Sequence, residues 1–179
     1  ALTVTNSNSS GPGSLRQAIA DIGTGEGSIN FDSGLGGDTL SLDSSELEVR
    51  GDISIDGSVG SGRVEVTGGG TSRIFLVRSG ASLALSHCIL RDGRAALGED
   101  GGAILVEKGG SGGGGIEELR LLDCDFISNQ AGAGPAVLDY SRAGYGGHGG
   151  AIAVLGKVTL AIDKCHFLNN SAGAGGPNF

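Results

Sequence analysis

The side chains of this chain that can do chemistry gather around three cysteines and in one loop. His87-Cys88-Ile89, Asp123-Cys124-Asp125 and Lys164-Cys165-His166 place ionisable residues beside the thiols. Stacked at the roughly 4.8 Å spacing of paired strands, they form outward columns His87, Asp123, Lys164 and Ile89, Asp125, His166. A carboxylate between a His and a Lys, with a second beside another His, has the composition of an acid–base pair or a calcium site. Calcium takes about six to eight oxygens, and two carboxylates with a Lys alongside supply too few. The expectation is a solvated ladder of charges, with no catalytic residue, no metal and no cofactor.

The loop runs from Gly132 to His148 and holds both tyrosines, Tyr140 and Tyr145, with Asp139, Arg142 and His148 close by. Tyr beside Arg and Asp suits contact with a sugar or a protein. The loop can equally pack its aromatics onto the wall beneath it, and the sequence leaves both readings open. Arg50-Gly51-Asp52 spells an integrin-type tripeptide, although a Gly flanked by charges is also ordinary turn composition. Cys88, Cys124 and Cys165 are odd in number and form no C-x-x-C, so zinc is not expected. They read as a column of small buried hydrophobes.

The elements that position these residues repeat along the chain. LALSHCILRDGRA (Leu83 to Ala95), LRLLDCDFISNQA (Leu119 to Ala131) and LAIDKCHFLNNSA (Leu160 to Ala172) align without gaps. Their shared columns are Leu83, Leu119, Leu160, then Leu85, Leu121, Ile162, then the cysteines, then Leu90, Phe126, Phe167, then Ala. This alternation is that of a strand with one buried face. A second marker recurs as Gly101, Gly102, Ala103, Ile104 and as Gly149, Gly150, Ala151, Ile152. The shortest intervals between markers give a period of 29 residues, lengthened by insertions at 109–115 and 132–148. Two or three short strands joined by turns, at that period, make one coil of a parallel β-helix.

Upstream, SINFD, DTLSLD, ELEV, ISIDG, RVEVTGGG and RIFLVRSG read as further short strands. Ser14-Leu15-Arg16-Gln17 has capping-box form, and Leu15, Ala18, Ile19 and Ile22 share one helical face. Residues 1–27 are therefore expected to form a strand and a helix covering the end of the core, with coils over 28–179.

Composition narrows the classes. Glycine supplies 37 of 179 residues without a G-X-Y period and with only three Pro, which excludes collagen and disfavours long helices. A hydrophobic share of 38% argues against disorder. The net charge is −8 and no basic stripe occurs, so nucleic acid is not an expected partner. No apolar run reaches the roughly 18 residues of a membrane-spanning helix, so this segment is not expected to insert.

The opening LTVTNSNSSGPGSLRQAIAD resembles the N-terminal module of large secreted bacterial proteins that fold as right-handed parallel β-helices. Gly-Gly-Ala-Ile, with Phe126-Ile127-Ser128-Asn129 and Phe167-Leu168-Asn169-Asn170, resembles the repeats of the polymorphic outer membrane protein family. That family's passenger domains are surface-displayed β-helices, and these tetrapeptides are associated with adhesion. The first cysteine segment departs from the pattern, with Leu90-Arg91-Asp92-Gly93 in place of Phe-x-x-Asn. The resemblance implies an adhesin-like protein, extracellular or on a bacterial cell surface, whose partner is a protein or glycan on a host or neighbouring cell.

The same motifs also have a scaffold reading. The Gly pair allows a turn with positive φ, Ala-Ile starts an inward-facing strand, Phe fills the core, and Asn stacks in a ladder bonding turn backbones. The sequence thus points to an all-β fold, a right-handed parallel β-helix with a short N-terminal capping helix, acting as a non-catalytic scaffold. The chain stops at Gly175-Gly176-Pro177-Asn178-Phe179, where a third Gly-Gly would open a new coil. That ending suits a fragment of a longer passenger, or a subunit whose last coil stacks end to end on copies of itself as a filament. A polysaccharide lyase- or hydrolase-like β-helix enzyme is the remaining alternative.

Overall fold

Short alternating segments, each ended by Gly, Asp or Ser, cannot extend into long strands, and the chain folds instead as many brief ones. The structure, a computed structural model, describes residues 1–43, 45–109, 117–134 and 145–176. It opens with β1 (Leu2–Val4), α1 (Leu15–Ile22), β2 (Glu26–Phe31), β3 (Thr39–Ser41) and β4 (Leu47–Val49). The middle holds β5 (Asp52–Asp56), β6 (Ser58–Val59), β7 (Gly62–Thr67), β8 (Phe75–Val77), β9 (Ser82–Ser86) and β10 (Cys88–Arg91). It closes with β11 (Ile104–Val106), β12 (Glu117–Leu122), β13 (Asp125–Ile127), β14 (Ile152–Val154), β15 (Val158–Asp163) and β16 (His166–Leu168).

Among the described residues the fold is all-β apart from α1 and one short 3-10 turn, and its three main sheets are parallel. The first sheet runs β1-β2-β5-β9-β12-β15, the second β3-β7-β10-β13-β16 and the third β4-β8-β11-β14. From β2 onward the chain visits first, second and third sheet in rotation, and each new strand pairs with the strand laid one circuit earlier. The exception is β6, which folds back on β7 as an antiparallel hairpin.

Register follows the aligned columns. Leu83, Leu119 and Leu160 are paired across the first sheet, as are Leu85, Leu121 and Ile162. Val66, Leu90, Phe126 and Phe167 align across the second, and Leu47, Phe75, Ile104 and Ile152 across the third. Phe75 and Ile104 are 29 positions apart, the uninterrupted period. Inward side chains of all three sheets make one core. Each buried Leu or Ile contributes about 1.5–3 kcal/mol, and a one-residue slip would turn a whole column to water.

The corners are single residues in the left-handed region. His87 (φ 53°), Asp123 (50°) and Lys164 (52°) turn the chain from first sheet to second. Asp92 (50°), Ser128 (55°) and Asn169 (55°) turn it off the second. One such residue redirects a strand without a loop, which keeps the spacing around each Cys constant.

At the N-terminus, Ser14 caps α1 by accepting the Gln17 amide at 3.2 Å. The capping box is only half-formed, because the Gln17 side chain donates to Asp21 at 2.6 Å instead of returning to Ser14. Leu15, Ala18 and Ile19 are buried in the core and Ile22 packs at its margin. Arg16 ties the helix down, donating to the carbonyls of Ser45 and Glu46 at 2.7 Å each. Among the described residues no helix is long and apolar enough to cross a membrane.

Candidate functional site

The left-handed corners aim His87 and Asp123 outward between first and second sheets, while β13 and β16 set Asp125 beside His166. His87 Nδ1 lies 2.9 Å from Asp56 Oδ1, and its Nε2 lies 3.9 Å from Asp123 Oδ2. His166 Nδ1 lies 2.9 Å from Asp125 Oδ1. Arg63 on β7 joins the two halves, donating Nη2 to Asp125 Oδ2 at 2.5 Å and Nη1 to the Asp123 carbonyl at 3.2 Å. Asp125 and His166 stand in the expected register beside Ile89, and Asp123 lies against His87. Arg63, however, was missed. Its only sequence signal is the Gly60-Ser61-Gly62 turn, which folds β6 onto β7.

Burial raises the Asp125 carboxyl, but hydrogen bonds from Arg63 and His166 outweigh it and leave the group below its ordinary value. Burial likewise opposes His87 and the Ser58 amide at Asp56, and the net effect is again a lowering. These charges satisfy one another along an open wall, where such pairs contribute about 0.2–1 kcal/mol each. Among the described residues no group of three or more His, Cys, Asp or Glu is arranged to hold a metal ion.

All three cysteines are free thiols, with Cys88 and Cys124 buried and Cys165 partly exposed. Cys88 Sγ points to the Ser86 carbonyl at 3.2 Å and Cys124 Sγ to that of Leu122 at 3.4 Å. A hydrogen bond with Cys124, and then burial, hold the Cys88 thiol well above its ordinary value. A thiol so placed stays protonated and behaves as a small core side chain.

The repeat motifs are occupied by contacts between circuits. Asn129 is fully buried: its Oδ1 accepts the Gly93 amide at 2.8 Å and its Nδ2 donates to the Leu90 carbonyl at 3.0 Å. Asn170 repeats the pattern one circuit on, donating Nδ2 to the Phe126 carbonyl at 2.8 Å. The rings of Phe126 and Phe167 stack with centroids 4.9 Å apart. In each Gly-Gly pair only the first residue needs positive φ, 67° at Gly101 and 65° at Gly149. The second, Gly102 or Gly150, lies so close to backbone of the next circuit that a Cβ would overlap it. Ala103 and Ile104 are fully buried, Ala151 is buried, and Ile152, on the last circuit, is partly exposed.

Of the loop residues, Asp139, Tyr140 and Arg142 lie outside the described residues, as does most of the glycine run 109–115. Tyr145 is 82% exposed and His148 also faces solvent, its Nδ1 3.3 Å from Asp100. The base of the loop is backbone stacked on backbone: Gly132 donates to Glu99 at 2.9 Å, Gly147 to Gly132 at 2.7 Å and Gly173 to Gly147 at 2.9 Å. Arg50 pairs with Glu48, and Gly51 is buried against Gly23 and Gly25, so the Arg-Gly-Asp tripeptide is not a projecting tip.

A second residue missed in the sequence is Arg73, 4% exposed. Pairing of Phe75 with Ile104 places it where the later circuit has Gly102. It donates to Glu46 at 2.5 Å, Glu99 at 2.8 Å and the Gly101 carbonyl at 3.0 Å. Finally, Leu160, Ile162, Phe167 and Leu168 on the last circuit are 45–55% exposed, although their equivalents one circuit earlier, apart from that of Leu168, are buried. Comparison with protein-family models, with curated proteins and with solved structures finds no match.

Proposed function

We propose that the three sheets are the walls of one right-handed parallel β-helix and that the chain is a non-catalytic extracellular scaffold, adhesin-like, secreted or on a bacterial cell surface. The rotation of the chain through three parallel sheets around a shared core supports the helix, and crossovers between parallel strands of one sheet are right-handed in about 98% of cases. The single observation that carries the scaffold reading is Asn129, whose amide is spent on Gly93, Leu90 and Asn170 inside the wall. Motifs consumed in that way specify stacking, which leaves recognition to residues outside the repeat. Tyr145 and His148, together with Asp139, Tyr140 and Arg142 that precede them in the loop, are the candidates, with a surface protein or glycan as partner.

The test is a glycan array and a cell-binding assay with the chain and its Tyr140→Ala/Tyr145→Ala variant. Binding that the variant loses supports the reading, and binding that it keeps removes the loop as the site. Release of new reducing ends from anionic polysaccharides would overturn the non-catalytic assignment.

Assembly of copies end to end is a second reading. It is favoured by the half-exposed Leu160, Ile162 and Phe167, which leave an apolar concavity lined also by Ala151, Ile152 and Val154.

A further inference from the structure

We propose that the outer face of the third sheet binds an aliphatic diamine, its chain lying on Leu76 and Leu105 and its two ammonium groups on the glutamates that flank them. In β8, Phe75 and Val77 turn into the core, whereas Leu76 faces outward and stands outside it. Leu76 is nonetheless only 5% exposed, and its neighbours across the sheet are Glu48 and Leu105. On one side of it Arg73 bridges Glu46 and Glu99, and on the other Arg78 bridges Glu48 and Glu107. Each bridge crosses three successive circuits, so the two form rails with an aliphatic floor between them. A hollow of about 420 Å³ opens there, within the roughly 300–1,000 Å³ of small-molecule sites. Its floor is interior to the sheet, because β14 pairs beyond β11.

The chemistry of the rim selects the occupant. Four carboxylates, those of Glu46, Glu99, Asp100 and Glu107, border the hollow against the two guanidiniums, a net charge of −2. Both guanidiniums are already committed: Arg73 donates also to the carbonyls of Gly101 and Asp100, and Arg78 donates to one oxygen each of Glu48 and Glu107. Glu46 Oε1, Glu99 Oε1 and Glu107 Oε2 accept no hydrogen bond from the described residues, so each rail keeps an acceptor for an ammonium donor. An anion is repelled by this rim. A compact divalent cation finds no seat, because among the described residues no three such groups converge. Two positive charges held apart by methylenes satisfy both rails and the floor together. The rails begin two residues apart at Glu46 and Glu48, about 7 Å, and an aliphatic chain covers leucine as a lysine stem covers apolar surface.

Isothermal titration of the 179-residue chain with 1,5-diaminopentane in low-salt buffer tests this. One equivalent should bind, about tenfold more tightly than pentylamine, which carries a single charge on the same chain. Glu107→Gln leaves Arg78 its bond to Glu48, and Leu105→Ser removes half of the floor; each should weaken binding about tenfold. Both side chains face outward, so circular dichroism should show each variant folded. Absence of binding, equal binding of pentylamine, or an affinity that either variant leaves unchanged would each overturn the proposal. Displacement of the diamine by an equal concentration of Mg²⁺ would reveal loose charge attraction and overturn it as well. The Tyr140→Ala/Tyr145→Ala variant should bind the diamine as the parent chain does, so none of these outcomes touches the function proposed above.

Discussion

The side-chain amide of Asn129 donates to Asn170 Oδ1 at 2.9 Å, and the same oxygen accepts the Asn129 main-chain N–H at 2.9 Å. One side chain thus bonds both the backbone and the side chain of its predecessor one circuit earlier. Asn129 in turn bonds the backbone at Gly93 and Leu90, so the ladder clamps three successive circuits. Replacing Asn129 with Ala strands the Gly93 amide and the Leu90 carbonyl inside the wall, at about 1–3 kcal/mol for a buried group left unpaired. Asn170→Ala should cost less, because that residue is only partly buried. Urea unfolding of the two variants checks the order.

Glycine tolerance should divide by environment. A Cβ on Gly102 would overlap the Gly150 carbonyl and the Gln130 amide, so Gly102→Ala forces two circuits apart. Gly60 has φ 57° with nothing near it, and Gly60→Ala meets only left-handed strain of about 1–2 kcal/mol. Thermal unfolding should show Gly102→Ala as much the more damaging change.

Arg73 stands in the Gly102 column and holds Glu46 and Glu99 together. Both carboxylates are partly exposed and can rehydrate, while the Gly101 carbonyl loses its side-chain donor. Arg73→Met should therefore cost about 1–3 kcal/mol, less than the roughly 3–5 kcal/mol of breaking a fully buried pair. Denaturant midpoints of the chain and the variant measure the difference.

Acid should loosen the wall at Asp125 and Asp56. Both carboxyls sit below their ordinary values in the folded chain, against burial, because Arg63 and His166 hold one and His87 and Ser58 hold the other. A lowered folded-state value gives stability that is present above the unfolded value of about 3.9 and is lost as pH falls through the folded one. Urea midpoints should fall below about pH 4, and Asp125→Asn should flatten that fall while lowering stability at neutral pH.

Thiol reagents should separate the cysteines. Cys165 is partly exposed and should react in the folded chain, whereas Cys88 and Cys124 should react only on unfolding. Rapid labelling of all three without denaturant would contradict the burial of that column.

Much of the register was legible because alternation and the repeat carry the same information. Leu83, Leu119 and Leu160 fall in one column of segments that align without gaps, and the inward column they form is what burial of one face demands. The antiparallel β6–β7 hairpin was not legible, since two residues are too few to show a period. Arg63 was invisible for a related reason: it lies 62 positions from Asp125, and only the stacking of circuits brings them to 2.5 Å. Arg73 could not be read as the counterpart of Gly102 while its own segment lacked the Gly-Gly marker.

What the sequence determined by itself is local: strand length, the face each residue presents, and the sites where glycine is required. These follow from side-chain size, φ preference and hydrophobic period, which act between near neighbours. Tertiary structure alone decided which charges meet, that Asn129 spends its amide within the wall, and that the last circuit leaves Leu160 and Phe167 half in water. Those outcomes depend on separations of tens of residues closed by the stacking of whole circuits, a geometry that no local pattern encodes.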